Sequence, residues 1–348
     1  MKNHSYNRTV FHGGDLSWAK AHFTESSEGW IDLSTGINPA PYPVPPLPED
    51  LWHRLPGADE ETSLLIAARH YYNLPDGTHI IAAPGTQSLL QLIPCLRQKS
   101  VVAVVGPTYA EHENCWKLAG HKVIQTPDLG AAPENADVIV VVSPNNPSAN
   151  VASLTKLQQA RDRLSRHGGL LVIDEAFMDM TPNASCCHRL PCSNVLILKS
   201  FGKFFGLAGL RLGFAIGDPL RIENLRQHLG PWAVNGPALH IGHKALCDQQ
   251  WIKKTRERLK SNRQRLEHLL SQHNIQVLGS TDLFSFAHSD TANRLFDHLC
   301  KAHILTRPFP SRSGKLRFGH PGAEIEWERL GSALSDFSSL RQTGDPYS

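Results

Sequence analysis

No part of the chain approaches the roughly 18 uninterrupted apolar residues of a membrane-spanning helix, and the opening MKNHSYNRTVFHGGDLSW lacks the apolar core of a secretory signal. A cytoplasmic location with no membrane partner is the expectation. Paired cysteine spacing is missing as well. The seven cysteines, Cys95, Cys115, Cys186, Cys187, Cys192, Cys247 and Cys300, outline no disulfide framework, and their odd number agrees with reduced thiols. Cys186, Cys187, His188 and Cys192 stand close together, but adjacent cysteines do not make the two-residue-spaced clamp of a metal centre, so no metal is expected. The formal net charge is only +3 and no Lys/Arg cluster marks a face for nucleic acid, which excludes that class of partner. There is no internal repeat, and biased composition is confined to prolines.

What remains is an ordinary globular composition, 41% hydrophobic and 19% charged over 348 residues, long enough for two compact units. Residues 1 to 50 read as an irregular arm ending in PAPYPVPPLPED, where fixed proline angles disfavour helix and sheet alike. From about residue 60, helices (roughly 60–72, 86–97, 110–120 and 152–167) alternate with short apolar runs at 101–105, 137–142, 170–174, 195–199 and 212–216. Continuous apolar runs between amphipathic helices predict a mostly parallel sheet covered on both faces, an α/β architecture. The pattern changes near 218–236; a long charged helix is expected over about 240–273, then short strands at 283–288 and 315–319 around a helix at 291–302. The expected division is an arm (1–50), a large domain (51–235) and a small α+β domain (236–348).

The segment LKSFGKFFGLAGLRLG, residues 198 to 213, brings Ser200, Lys203 and Arg211 into one glycine-punctuated loop after an apolar strand. Phe201, Phe204 and Phe205 around Lys203 disfavour an ammonium and push the amine toward a nucleophile. A hydroxyl and a guanidinium fork suit a phosphate. A Schiff base between Lys203 and pyridoxal 5′-phosphate uses all three residues. The segment resembles the lysine motif of the aminotransferase class I and II family, enzymes of the pyridoxal-phosphate-dependent transferase fold type I (aspartate-aminotransferase-like).

Further motifs carry the same resemblance. Asp174 ends an apolar strand in LLVIDEAFMD, at the edge where open α/β sheets bind ligands, and the resemblance implies pairing with the pyridinium nitrogen. Asn146 in SPNNPSA would on its own be a turn residue; the resemblance gives it the cofactor's 3-hydroxyl. Gly85, Thr86 and Gln87 open a helix in APGTQSLLQLI, where backbone N–H groups and the helix dipole form an anion site. Tyr109 in GPTYAEH matches the aromatic that stacks on the pyridine ring, and Arg317 in KLRFGHPG the arginine that takes the substrate α-carboxylate. Arg307 in ILTRPFP is a candidate for a second anion and equally a solvated loop charge.

Within the family the motifs are similar to two sister groups, the threonine-phosphate decarboxylases of cobalamin biosynthesis and the histidinol-phosphate aminotransferases. FHGGDL followed by IDLSTGINP resembles the decarboxylase opening, which implies that His12, Gly13, Gly36, Ile37 and Asn38 lie near the substrate. Phe177 stands where aminotransferases usually carry a tyrosine, and HRLPGAD puts Leu55 where many members place an intersubunit tyrosine. The resemblance implies a homodimer and a phosphorylated amino acid substrate, with decarboxylation of O-phospho-L-threonine as the leading reaction and amino transfer as the alternative.

Overall fold

The computed structural model describes residues 13–23, 29–190, 193–309 and 314–342; His12 and Cys192 lie outside them. The chain forms two compact units, one of residues 40–259 and one that joins the N-terminal segment, up to Pro39, to residues 260 onward. In chain order the strands are β1 (Ile31–Asp32), β2 (His79–Ala83), β3 (Val101–Val105), β4 (Lys122–Thr126), β5 (Val138–Val142), β6 (Leu170–Asp174), β7 (Val195–Ser200) and β8 (Gly213–Gly217). They continue with β9 (Gln276–Thr281), β10 (Phe284–His288), β11 (Ile304–Leu305), β12 (Arg307–Pro308) and β13 (Lys315–Gly319).

The larger unit is built on a seven-stranded sheet of order β2-β8-β7-β6-β5-β3-β4, parallel except for β8. Every residue of β5 and β6 is buried, as strands covered on both faces require. Leu89, Leu90 and Ile93 of the helix Thr86–Cys95 pack on Val102, Val104, Val140 and Val172. β2 and β4 were absent from the sequence expectation. HIIAA holds only four apolar residues after an exposed histidine, a run too short to tell from a buried helical segment, and KVIQT is an edge strand with only Thr126 buried.

The single long helix expected over 240–273 is two helices, Gly236–Cys247 and Gln249–Gln272. The break falls at Asp248, which leaves helical geometry and accepts the N–H of Trp251 on its carboxylate at 2.9 Å. Helix Gly236–Cys247 belongs to the larger unit, because Gly242 admits Leu212 and Leu64 where a Cβ would stand 2.7 and 2.9 Å from them. The edge of the unit therefore falls at Leu259 where the sequence suggested 235.

Behind the large sheet lies a buried ion pair. Lys199 Nζ stands 2.6 Å from Glu175 Oε2, and the two side chains are 2% and 0% exposed. Glu175 also accepts from the Ser185 hydroxyl and the Cys186 N–H, both at 2.6 Å. Burial works against the Lys199 ammonium, yet the acidic groups around it hold its pKa above the ordinary lysine value.

The smaller unit carries an antiparallel sheet of order β12-β13-β10-β9, and β1 pairs in parallel with β11. Its core joins Leu33, Leu266, Leu295, Phe296, Phe318 and Trp327. The described part of the N-terminal arm is thus integrated through β1: Ile31 and Leu33 donate their N–H groups to His303 and Leu305 at 2.9 and 2.8 Å.

His320 follows β13, is 3% exposed, and neither ring nitrogen has a hydrogen-bond partner among the described residues. Burial, aided by Arg263, pushes its pKa down to about 3. As pH falls, the unfolded chain takes up this proton near pH 6.5 while the folded chain does not, so stability is full above about 6.5 and is lost toward 3. Replacing His320 with Leu should raise stability and flatten this acid dependence. Between pH 7 and 5 the native protein should lose about 2 kcal/mol more than His320→Leu in urea unfolding; equal losses would show that His320 does not titrate in this way.

Candidate active site

The strand ends of the large sheet are level at one edge. Ala83 of β2 pairs with Gly213 of β8, and Gly213 pairs with Ser200 of β7. This register gathers Gly85 and Thr86 after β2, Arg211 before β8, and Ser200 and Lys203 at the end of β7. The glycines are what allow the closeness. A Cβ on Gly213 would stand 2.7 Å from Thr86 N, and one on Gly85 would stand 2.6 Å from Arg211 Nη2. Gly85 has φ +79 and Arg211 the left-handed φ of 55°, held by its Nη1 on the Ala208 carbonyl at 3.2 Å. A guanidinium fork thus lies over the N-terminus of the helix Thr86–Cys95, where free N–H groups and the dipole favour an anion.

Lys203 sits in a short helical turn, Phe201–Phe204. The sequence reading wrapped its amine in Phe201, Phe204 and Phe205, but the turn sends those three rings into the core. Phe201 and Phe205 stack at 4.3 Å, and Phe204 and Phe205 both pack on Trp251. The ring facing Lys203 Nζ is Phe177, at 5.8 Å to its centroid. Residues three and four apart share a helix face, so the apolar residues turn inward and Lys203, half-buried, is left on the other side.

Asp174 ends β6 with 4% exposure. One carboxylate oxygen accepts the Ala176 N–H at 2.9 Å and the other lies 2.9 Å from His112 Nε2, whose ring is 1% exposed. Tyr109 precedes the helix Ala110–Leu118, one turn before His112. Its hydroxyl donates to Gln87 Oε1 at 3.4 Å while Gln87 Nε2 donates to Glu111 at 3.2 Å, so only the backbone of Gln87 remains for an anion. Asn146, buried, lies in the loop after β5 that Asn145 ties to the Pro107 carbonyl and to Ser148.

In the smaller unit Arg307 and Arg317 are direct partners across β12 and β13. Arg317 is 3% exposed; burial lowers its pKa, Arg307 lowers it further, and Asp32 opposes them. Two guanidinium groups side by side with one of them buried make a site that favours an anion. Arg317 Nη2 donates to the Ser34 carbonyl at 2.6 Å. Gly13 lies against the same carbonyl, with no room for a Cβ. Gly36 and Asn38 are buried and Ile37 half-buried in the loop that follows.

The larger unit therefore brings together Gly85, Thr86, Ser200, Lys203 and Arg211, with Asp174, Asn146 and Tyr109 on neighbouring strand ends. The smaller unit brings together Gly13, Arg307 and Arg317. Sequence reasoning missed His112, Asp32 and Ser34. His112 had one faint signal, since in PTYAEH it falls one helical turn after Tyr109 and so faces the same way.

The chain is 41% identical over 94% of its length to a threonine-phosphate decarboxylase of Pseudomonas aeruginosa, covering 97% of that protein. To one of a Sinorhizobium species it is 39% identical over 94%, covering 98%. In fold it resembles the histidinol-phosphate aminotransferase of Clostridium acetobutylicum, with a TM-score of 0.76 over 89% of this chain and 99% of that one at 21% identity. Residues 52–327 match the family described as aminotransferase class I and II, and the chain belongs to this family of pyridoxal-phosphate-dependent enzymes.

Proposed function

We propose that the chain decarboxylates O-phospho-L-threonine to (R)-1-aminopropan-2-yl phosphate and carbon dioxide, a reaction that serves the nucleotide loop of cobalamin. The observation that carries this reading is the cross-strand pair Arg307–Arg317, which offers separate guanidinium groups to a phosphate and to an α-carboxylate. The relatives at 41% and 39% identity support it. The protein is proposed to act in the cytoplasm as a homodimer. No helix among the described residues is long and apolar enough to cross a membrane, and Trp52, Leu55 and Trp232 of the larger unit are 64%, 62% and 59% exposed, as suits a second copy.

The residues present fit pyridoxal phosphate. Arg211, the helix N-terminus at Gly85–Thr86 and the Ser200 hydroxyl suit its phosphate, the buried Asp174 carboxylate its pyridinium nitrogen, Asn146 its 3-oxygen and Tyr109 its ring face. When bound, the cofactor supplies an electron sink for whichever Cα bond stands perpendicular to its ring. Arg317 and Arg307 would hold the substrate's carboxylate and phosphate. A substrate held at both groups would lose rotation about Cα. Loss of the carboxylate as carbon dioxide would leave its electron pair to be met by a proton at Cα, a proton that the Lys203 amine could deliver, with Phe177 setting an apolar ring beside that amine. His112 holds the Asp174 carboxylate in place through its contact with Oδ2 at 2.9 Å.

Three outcomes test this reading. The cofactor-loaded enzyme should release carbon dioxide from O-phospho-L-threonine with no keto-acid acceptor present, and Lys203→Ala should lose both its visible absorbance and at least about a thousandfold in turnover. Turnover only with 2-oxoglutarate would make it an aminotransferase instead. His112→Phe should weaken pyridoxal-phosphate binding to the apoenzyme about tenfold, because Asp174 loses one partner in a buried site; an unchanged affinity in fluorescence titration would remove His112 from the cofactor site.

A further inference from the structure

Ser34 is fully buried and joins four polar contacts in the smaller unit. Its N–H and its hydroxyl both donate to Asp32 Oδ1, at 2.8 and 2.5 Å. The hydroxyl oxygen accepts the Gly14 N–H at 2.7 Å, and the carbonyl accepts Arg317 Nη2 at 2.6 Å. Glycine is required on the N-terminal side of this junction: a Cβ on Gly13 would collide with the Ser34 carbonyl, and Gly14 has φ +88. On the other side Gly319, at the end of β13, donates its N–H to the Leu33 carbonyl at 2.6 Å and leaves no space for a Cβ against Thr35. Residues 33–35 are therefore clamped between the Gly13–Gly14 segment and the strand that carries Arg317. Asp32 also supplies the negative charge that opposes the lowering of the Arg317 pKa.

We propose that Ser34, braced by Asp32, is a positioning residue that couples the seating of the Gly13–Gly14 segment to the orientation of Arg317; the inference rests on Arg317 being the arginine for the substrate carboxylate. A guanidinium is planar, so fixing Nη2 on a carbonyl that cannot move sets the plane in which the remaining donors meet an anion. The carbonyl is immobile because the same residue is tied through its N–H and hydroxyl to Asp32. The hydroxyl that accepts from Gly14 belongs to this turn as well, so loss of the N-terminal contact loosens the carbonyl and with it the arginine. Asp32 acts through geometry here, since one oxygen takes both Ser34 donors and an asparagine oxygen can do the same.

The test is amide hydrogen exchange at Gly14 in the holoenzyme together with steady-state kinetics on O-phospho-L-threonine. Ser34→Ala, Asp32→Ala and Arg317→Met should each speed Gly14 exchange by about tenfold or more, whereas Asp32→Asn should stay within about twofold of the native rate. Ser34→Ala should raise KM about tenfold with kcat within about twofold. Gly14 exchange unchanged by Arg317→Met would overturn the coupling, as would a fall in kcat with KM unchanged in Ser34→Ala. The exchange measurement needs no substrate, so it judges the coupling even where O-phospho-L-threonine is not turned over, a result that would overturn only the functional reading.

Discussion

The buried pair of Lys199 and Glu175 is the constraint on which the larger unit depends. Successive residues of a strand point to opposite faces, so Lys199 lies behind the sheet while Ser200, next to it, belongs to the other side. Glu175 likewise follows Asp174. Joining Lys199 to Glu175 at 2.6 Å holds two neighbouring strand ends in one register, and the Ser185 hydroxyl and Cys186 N–H tie the loop after β6 into the same knot. Removing one partner of such a pair leaves a charge stranded in the interior, at a cost of about 3–5 kcal/mol. The edge that carries Asp174, Ser200 and Lys203 is therefore rigid, as a site must be if it is to hold a ring and a phosphate in fixed relation.

The two units handle charge by different means. In the larger one the anion site is assembled from backbone and close approach: a helix N-terminus, glycines at 85 and 213 that admit their neighbours, and one guanidinium held in left-handed geometry. In the smaller one it is assembled from side-chain charge, two arginines in register with the deeper one stabilised by a backbone carbonyl and a nearby aspartate. His112 completes the first arrangement, since its ring nitrogen occupies one oxygen of the buried Asp174 carboxylate and so fixes the direction of the other.

The motifs determined much on their own. The apolar runs at 101–105, 137–142, 170–174 and 195–199 marked the parallel strands, because a strand buried on both faces is apolar along most of its length. The order of Asn146, Asp174, Ser200, Lys203 and Arg211 along the chain carried the resemblance to the family, and the match over residues 52–327 shows that family. Tertiary structure alone decided the rest. β4 hides its strand character in a partly polar edge stretch, and β2 in a four-residue apolar run whose partner β8 lies far away in sequence. The environment of Lys203 could not be read from its neighbours, since a helical turn turns Phe201, Phe204 and Phe205 away and brings Phe177 in from another strand end. Asp32, Ser34 and His112 carry no sequence signal strong enough to single them out, because what they do depends on groups 283 residues away for Ser34 and 62 residues away for His112. Chain composition and spacing report local preference and periodicity; which polar groups meet across such distances is settled only when the strands pair and the core closes.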